Sequence, residues 1–288
     1  MKGTFAWLGR VALTLVAVVA ALAVGRGLWV YYMESPWTRD GRVRADVVQV
    51  APDVSGFVTD VLVKDNQQVR RGDVLFRIDR ARFALALQTA DAAVAGHKAT
   101  LDQADSDLKR YSALTTDAVS QQKQEQVLAT QLQAKAAYDQ AIADRAVAQL
   151  NFDRSEVHAS VNGTITNMDL RPGAYLTAGK GVMALVDADT LHVEGYFEET
   201  KLARIRIGDK VQIRLMGEKS TLTGRVESIA AGIEDRDRAE GASLLANVNP
   251  TFSWVRLAQR VPVRIALDPV PDGMSLVAGR SATVEVLN

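Results

Sequence analysis

Residues 47–79 read VVQVAPDVSGFVTDVLVKDNQQVRRGDVLFRID, and residues 157–187 read VHASVNGTITNMDLRPGAYLTAGKGVMALVD. Both stretches contain short valine-rich runs of alternating polarity, and Pro, Gly and Asp residues break these runs. Two half-motifs of this kind predict one small β-sandwich that is assembled from two separated pieces of chain. The breaks come in a similar order in the two stretches, with residues 51–56 corresponding loosely to 159–163 and residues 72–79 to 179–187.

Between the two half-motifs, the apolar residues follow a heptad spacing of four and three, which is typical of a coiled coil. A turn over residues 115–120 separates two such arms, so the pattern predicts an antiparallel helical hairpin over 80–154, about 50 Å long. An ordinary pair of bundle helices would not predict matching half-motifs at both ends. The first seam is Phe83, Leu87, Ala90, Val94, His97, Leu101, Ala104, Leu108 and Tyr111, and the second is Ala129, Leu132, Ala136, Asp139, Ala143, Ala146, Leu150 and Asp153.

The two seams also predict how the arms are aligned. Antiparallel pairing centres the turn near Ala118 and sets His97 opposite Asp139. A polar pair in one layer would fix the alignment at some cost in stability. The other predicted layers are Leu108 with Ala129, Ala104 with Leu132, Leu101 with Ala136, Val94 with Ala143 and Leu87 with Leu150.

The C-terminal third returns to strand patterns that are separated by Gly-Asp, Gly-Glu, Asp-Pro and Pro-Asp-Gly turns. These strands predict a small β-barrel over residues 188–288. We expect a short helix over 198–206 and a loop over 234–250. The predicted strands are LHVEGYFEE (191–199), KVQIRL (210–215), TLTGRVESI (221–229), VPVRIALD (261–268) and SATVEVL (281–287).

The N-terminus contains an uncharged apolar run over residues 11–24, and its flanks bring the apolar region to the length of a membrane span. We therefore expect a cytoplasmic stub and transmembrane anchor over 1–33, followed by a linker or first strand over 34–46. A cleaved signal peptide is the alternative, with a small-x-small site at residues 21–23. In both cases the remaining chain lies outside the cytoplasm. The aromatic residues that suit an interfacial belt are Trp29, Tyr31 and Tyr32.

Composition excludes several classes of function. Lys and Arg together equal Asp and Glu at 34 each, so there is no electrostatic reason to expect a nucleic-acid binder. The chain has no cysteine, which excludes a disulfide framework, a thiolate metal site, a cysteine nucleophile and a lipoprotein anchor. The three histidines, His97, His158 and His192, lack ligand spacing, and neither a nucleophile elbow nor a P-loop occurs. We expect no catalytic residue, no cofactor and no metal site, and therefore no enzyme.

The order of half-lipoyl motif, helical hairpin, half-lipoyl motif and β-barrel resembles the HlyD-type membrane fusion proteins. Within that family, several stretches look like the adaptors of p-hydroxybenzoic acid efflux pumps. These stretches are WVYYMESPWTRD (29–40), ADVVQVAPDVSG (45–56), DNQQVRRGDVLFRID (65–79), YFEETKL (196–202) and WVRLAQRVPVRIALD (254–268).

The resemblance implies a mainly β fold with a long helical hairpin. Its parts would be an N-terminal transmembrane helix, a split lipoyl-like (barrel-sandwich) domain over 47–79 and 157–187, the coiled-coil hairpin and a C-terminal β-barrel. It also implies a periplasmic adaptor, anchored by a single pass in the inner membrane, that assembles as a homo-oligomeric ring. Its partners would be an inner-membrane transporter and an outer-membrane channel of the TolC type, and its cargo would be aromatic carboxylic acids.

Three alternatives remain open at this point. The chain could serve a multidrug pump with another class of transporter, or a protein-secretion system, although secretion adaptors usually have longer coils. It could also be a carrier domain of an acyl- or carboxyl-transferring enzyme. A carrier, however, places a modified lysine between its half-motifs, usually within Asp-Lys-Ala or Met-Lys-Met, and neither tripeptide occurs here.

Adaptors that dock on such channels often carry Arg, Leu and Ser at the hairpin tip. Arg110, Leu114 and Ser120 occupy that region here, with a Leu–Ser spacing one residue shorter than in the multidrug adaptors. We expect Leu114 to pack into a groove on the channel, while Arg110 and Ser120 hydrogen-bond to channel backbone or carboxylates. The alternative is a solvated turn with an ordinary capping leucine.

Overall fold

The structure is a computed structural model that describes residues 2–114, 120–233, 238–240, 246–248, 258–271 and 274–287. The chain divides into two compact units, residues 47–189 and residues 1–46 together with 190–288. The helices of the described residues are α1 Lys2–Trp29, α2 Arg80–Ser112 and α3 Gln121–Arg154. The strands of the same residues are β1 Trp37–Arg44, β2 Val47–Val50, β3 Gly56–Val61, β4 Gln68–Val69, β5 Val74–Ile78, β6 Glu156–His158, β7 Gly163–Thr166, β8 Tyr175–Leu176, β9 Met183–Asp187, β10 His192–Glu198, β11 Lys210–Leu215, β12 Thr221–Ile229, β13 Arg238–Glu240, β14 Ala246–Val248, β15 Arg260–Leu267 and β16 Ser281–Leu287.

The first unit contains a sandwich of two four-stranded sheets, ordered β2-β9-β7-β4 and β6-β5-β3-β8. Strands β2 to β5 come from the first half-motif and β6 to β9 from the second. Replacing each strand by its counterpart in the other half converts one sheet order into the other, so the two halves are related by a pseudo-two-fold axis. Each sheet needs two strands from each half, because neither half alone can cover an apolar face. The fully buried side chains of this core include Leu75, Phe76, Ile78, Ile165 and Leu185.

Equivalent turns in the two halves hold the sandwich in the same way. Gly72 and Gly179 both adopt positive φ, at +93° and +79°, where glycine has no steric penalty. The Gly72 N–H donates to the Ala159 carbonyl at 2.8 Å, and the Gly179 N–H donates to the Pro52 carbonyl at 2.9 Å. Each turn thus hydrogen-bonds to the other half-motif.

The hairpin has the predicted antiparallel arms and the predicted alignment along their length. The Gln131 amide donates to Asp105 at 2.8 Å, and Arg145 pairs with Asp91. The paired residues lie as the predicted register requires, since Ala104 was expected opposite Leu132. The turn near Ala118 lies outside the described residues.

The predicted face of the second arm is wrong. The buried residues of α3 are Val127, Ala134 and Ala141, seven apart, whereas the predicted seam residue Leu132 is 55% exposed. Ala134 packs with Leu101, Ala104 and Tyr138. Alanines lie on several faces of this Ala- and Gln-rich helix, so its own sequence does not select one. The packing against α2 residues such as Leu101 and Ala104 decides which face of α3 is buried.

For the same reason, His97 and Asp139 do not form a buried layer. Both residues are exposed, and Asp139 belongs to the outward face of α3. Water therefore solvates both side chains, and they cannot fix the register as a buried polar pair would. The cross-arm contacts at Asp105 and Asp91 align the arms instead.

The second unit contains a closed antiparallel barrel in the order β1-β10-β15-β12-β11-β16. Strand β1 pairs with both β10 and β16, so the strand expected within residues 34–46 closes the barrel. The expected helix over 198–206 is a 3-10 helix, Glu199–Arg204. The segment expected to be a loop over 234–250 contains the antiparallel pair β13–β14, and its other residues lie outside the description. Fully buried barrel residues include Val43, Val193, Phe197, Ile213, Val263, Ile265 and Val284.

Helix α1 runs into a π-helical turn, Val30–Glu34, which ends where the Ser35 N–H donates to the Val30 carbonyl at 2.9 Å. From Leu13 to Trp29 its side chains are exposed, and most of them are apolar. Among the described residues, the structure contains no helix with both the length and the apolar character required to cross a membrane.

A charge cluster joins the hairpin to the sandwich. The Arg77 side chain donates to the Glu156 carboxylate at 2.7 Å, and Arg80, in the first turn of α2, donates to its other oxygen at 2.5 Å. The hydrogen bond from Arg77, helped by that from Arg80, lowers the pKa of the Glu156 carboxyl, although burial acts in the opposite direction. Arg80 also lies 4.3 Å from the centre of the Phe152 ring. The cluster therefore ties the start of α2 to the chain that leaves α3.

Two glycines give a stability test with opposite signs. A Cβ at Gly163, the first residue of β7, would run into the carbonyl oxygen of Val186, whereas a Cβ at Gly96 in α2 meets nothing within 4 Å. We expect Gly163→Ala to destabilise the sandwich by about 2 kcal/mol or more, as overpacking does. Gly96→Ala should stabilise the hairpin by about 1 kcal/mol. Denaturant unfolding followed by circular dichroism measures both, and a neutral Gly163→Ala would contradict the packing.

The Glu156 cluster predicts a pH-dependent contribution to stability. At neutral pH, Glu156→Gln should lower the unfolding free energy by about 1 kcal/mol, because the two arginines are partly exposed and solvent screens them. Since the folded-state pKa is lowered, the contribution is complete above the unfolded value of about 4.3 and is lost as pH falls through the folded value. The difference between wild type and variant should therefore shrink in acid.

The matched control is Asp102→Asn, which removes the exposed Lys98–Asp102 pair of α2. That pair is solvent-exposed, so we expect its loss to change the unfolding free energy less than Glu156→Gln does at neutral pH. Denaturation curves at neutral and acidic pH compare the two variants. An equal or smaller effect of Glu156→Gln at neutral pH would show that the cluster does not stabilise the base of the hairpin.

Candidate docking site at the hairpin tip

The described tip consists of the last turn of α2 and the first turn of α3. The Ala113 N–H donates to the Lys109 carbonyl at 3.2 Å, and the Leu114 N–H donates to the Tyr111 carbonyl at 3.3 Å. These bonds continue the helical path beyond Ser112 and hold the Leu114 backbone in place. The Leu114 residue is nevertheless 44% exposed. An apolar side chain is thus presented to solvent from an ordered backbone.

Arg110 lies one turn before Leu114 and forms an ion pair with Asp107 at 3.0 Å. Its side chain is 67% exposed. Pairs of this kind contribute only about 0.2–1 kcal/mol, because water screens them and long side chains lose entropy in forming them. A partner's carboxylate or carbonyl could therefore recruit the Arg110 guanidinium at little cost.

Ser120 has a local role that the sequence interpretation did not include. It is the N-cap of α3, and its hydroxyl accepts a hydrogen bond from the Lys123 N–H at 3.4 Å. A serine cap contributes about 1 kcal/mol to a helix. The hydroxyl proton is not used in this bond, so Ser120 could still donate to a partner.

The sequence interpretation missed one interaction at the tip. Lys123, in the first turn of α3, places its ammonium nitrogen 5.8 Å from the centre of the Tyr111 ring on α2. A cation–π contact of this type is worth about 0.5–1 kcal/mol at an exposed site. The heptad pattern places Tyr111 in the seam, but nothing in the sequence indicates Lys123 as its partner. The contact bridges the arms close to the apex.

The tip therefore combines an exposed leucine, a weakly held guanidinium and a capping hydroxyl. Arg110, Leu114 and Ser120 all lie at one end of the hairpin, whereas His97 and Asp139 lie along the arms. Nothing in this set provides a nucleophile with an adjacent base. Across the residues that the structure describes, no cluster of His, Asp or Glu is suited to a metal ion. The arrangement is suited to protein recognition.

Two domain families match the chain. The barrel-sandwich hybrid domain of RND membrane fusion proteins matches residues 46–188, and the AAEA-like beta-barrel domain matches residues 190–287. The uncharacterized protein YdhJ of Escherichia coli K12 is 42% identical over 272 residues, which covers 94% of this chain and 95% of that protein.

Solved structures share the fold. The membrane fusion protein Spr0693 of Streptococcus pneumoniae R6 has a TM-score of 0.65 at 20% identity, over 86% of this chain and 97% of that chain. MacA of Actinobacillus actinomycetemcomitans has a TM-score of 0.56 at 17% identity, over 88% and 79%. The sandwich, hairpin and barrel agree with these folds and with both domain families. We conclude that the chain belongs to the membrane fusion protein family of RND-type adaptors.

Proposed function

We propose that the chain is the periplasmic adaptor of a tripartite efflux pump and links an inner-membrane transporter to an outer-membrane channel of the TolC type. The observation that carries the proposal is a long hairpin, set on the barrel-sandwich domain of a membrane fusion protein, that presents an exposed Leu114 at its tip. Such a chain performs no chemistry. It aligns and seals a conduit, and the transporter supplies the energy.

The hairpin provides the reach that such a link needs. Helices α2 and α3 contain 33 and 34 residues, which corresponds to about 50 Å at 1.5 Å per residue. The seam buries small residues such as Ala134 and Ala141, so the arms lie close together and make a narrow probe. A hairpin with closely packed arms fits a groove between the helices of another protein.

The proposed contact at the tip uses each side chain in a different way. Leu114 packs into an apolar groove at the periplasmic end of the channel, and burial of one leucine contributes about 1.5–3 kcal/mol. Arg110 exchanges Asp107 for a channel carboxylate or carbonyl. Ser120 keeps its capping role and donates its hydroxyl proton. One such contact is weak, but a homo-oligomeric ring of adaptors would repeat it and gain from multivalency.

The proposed cargo is a small aromatic carboxylic acid. This part of the proposal rests on the resemblance of several stretches to adaptors of p-hydroxybenzoic acid pumps. YFEETKL at 196–202 and WVRLAQRVPVRIALD at 254–268 are among them. Both stretches lie in the region that matches the AAEA-like barrel domain.

We further propose, from the sequence, that the N-terminal segment over residues 1–33 anchors the chain in the inner membrane and leaves the rest in the periplasm. The argument comes from the uncharged run at residues 11–24 and from the exposed apolar side chains that surround the helix from Leu13 onward. An uncharged apolar run of this length favours burial, either in a protein core or in lipid. Trp29 and Tyr32, both exposed, would lie at the lipid–water interface.

The docking role is tested by Leu114→Asp. A charge at this position would have to be desolvated in the channel groove, so we expect export to be abolished, with expression, membrane association and transporter binding unchanged. Efflux of p-hydroxybenzoate from cells that depend on this adaptor, together with crosslinking to the channel, measures the effect.

Leu150→Asp is the matched control. Leu150 is similarly exposed, at 47%, but lies at the opposite end of the hairpin, so its variant should export normally. Full export by Leu114→Asp would disprove the docking role. Loss of helical circular dichroism in Leu114→Asp would show instead that the leucine is required for folding.

The anchor is tested by the mature N-terminus. We expect mature protein to retain residues 1–24 and to fractionate with the inner membrane, because the apolar run is not removed. Intact mass and N-terminal sequencing of the purified chain measure this directly. A mature chain that begins at Val24 would replace the anchor by a cleaved signal peptide.

A further inference from the structure

A cleft of about 250 Å³ opens on the barrel unit beside the turn that ends α1. We call it the aromatic cleft, and its residues are Tyr32, Trp37, Thr38, Arg39, Asp40, Tyr196, Glu198, Lys201 and Arg260. The tip and the sandwich contribute nothing to it. Its volume is below the roughly 300–1,000 Å³ typical of pockets for drug-sized ligands, so it suits a compound with a single ring.

Lys201 is the unusual residue of the aromatic cleft. Its side chain is only 9% exposed, yet its ammonium nitrogen lies 3.8 Å from the Glu198 carboxylate and 3.5 Å from the Trp37 carbonyl. Charge-assisted hydrogen bonds are normally about 2.7–2.9 Å long. A buried ammonium is costly unless it is closely paired. Among the described residues no oxygen is that close, so an anion entering the cleft would improve the environment of Lys201.

Two cations lie over the ring of Trp37. The Lys201 nitrogen is 5.3 Å and the Arg39 guanidinium carbon 5.4 Å from the ring centre. Tyr32 meets the same ring edge-on at 6.4 Å. Two aromatic rings therefore lie next to two positive charges, and a flat apolar group could contact the rings while its anionic end reaches the cations.

The charges in the aromatic cleft favour an anion. Arg260 is paired with Asp40, so these two charges offset each other. Of the remaining groups, Lys201 and Arg39 are positive and Glu198 is negative. The surplus is one positive charge, located at the Trp37 ring.

We propose that the aromatic cleft binds a small aromatic carboxylate. The ring of the ligand contacts Trp37 and Tyr32, and its carboxylate accepts hydrogen bonds from Lys201 and Arg39. The inference deepens the proposed function, on which it rests for its biological meaning, because the ligand class is that of the proposed cargo. It makes the adaptor itself a binding site for cargo.

Benzoate binding to the full-length chain in detergent tests the proposal, with calorimetry and tryptophan fluorescence as readouts. We expect saturable binding that Arg39→Gln weakens by about fivefold or more and Lys201→Met by about tenfold or more, as expected for the loss of hydrogen bonds to a charged group. Arg42→Gln is the matched control, because Arg42 is exposed on the same strand and lies outside the cleft. It should bind benzoate as the wild type does.

Three further probes define the ligand class. Benzamide lacks the charge and cyclohexanecarboxylate lacks the aromatic ring, so each should bind at least about fivefold more weakly than benzoate. Inorganic phosphate should not compete at equal concentration. Equal binding of phosphate or cyclohexanecarboxylate would overturn the aromatic carboxylate in favour of a general anion site. If Lys201→Met does not fold, the exposed Arg39→Gln decides, and unchanged affinity in that variant overturns the proposal.

The outcomes also separate this inference from the proposed function. If benzoate does not bind while cells still export p-hydroxybenzoate through the pump, the cleft inference is wrong and the adaptor function stands. If benzoate binds with the expected variant pattern while export of aromatic acids is absent, the cleft is real and the proposed cargo is wrong.

Discussion

The structure of residues 47–189 depends on pairing between two pieces of chain that are far apart in sequence. Strand β2 pairs with β9, and β5 pairs with β6, so each sheet is complete only when both halves are present. The hairpin between the two halves brings them together, so that each sheet can be completed. Its antiparallel arms return the chain to its starting point and reduce the entropy cost of joining two segments that are separated by the whole hairpin. The sandwich can therefore form only when the hairpin has brought its two halves together.

Most of this architecture could be predicted from the sequence because its signals are local and repeated. Period-two runs bounded by Gly and Asp predicted the strands, and β11, β12 and β16 have the expected bounds. The heptad spacing of α2 predicted its seam, because large residues such as Leu101 mark the buried face. In α3, large apolar residues lie on several faces, since Val127 is buried whereas Leu132 and Leu150 are exposed. With alanines on several faces, its orientation is decided by the shape of α2, and that information is not present in α3 alone.

At the tip and in the aromatic cleft, local roles could be predicted from the sequence, whereas contacts between distant residues could not. The capping role of Ser120 could be inferred from its place before a helix. The approach of Lys123 to Tyr111, and of Lys201 and Arg39 to Trp37, could not. Lys201 and Trp37 lie 164 residues apart and meet only because β1 closes the barrel next to β10. A lone lysine in a charged stretch gives no sign that it will become buried.

The way the hairpin joins the sandwich at its base allows the length of the hairpin to vary. Asp79 caps α2, and the fully buried Ser155 ends α3, so the sandwich holds the two ends of the coiled coil. Inserting one heptad into each arm would preserve the seam and return the chain to the same two points. Each such insertion would lengthen the hairpin by about 10 Å. The length of the hairpin can therefore change without a redesign of the domain from which the hairpin extends.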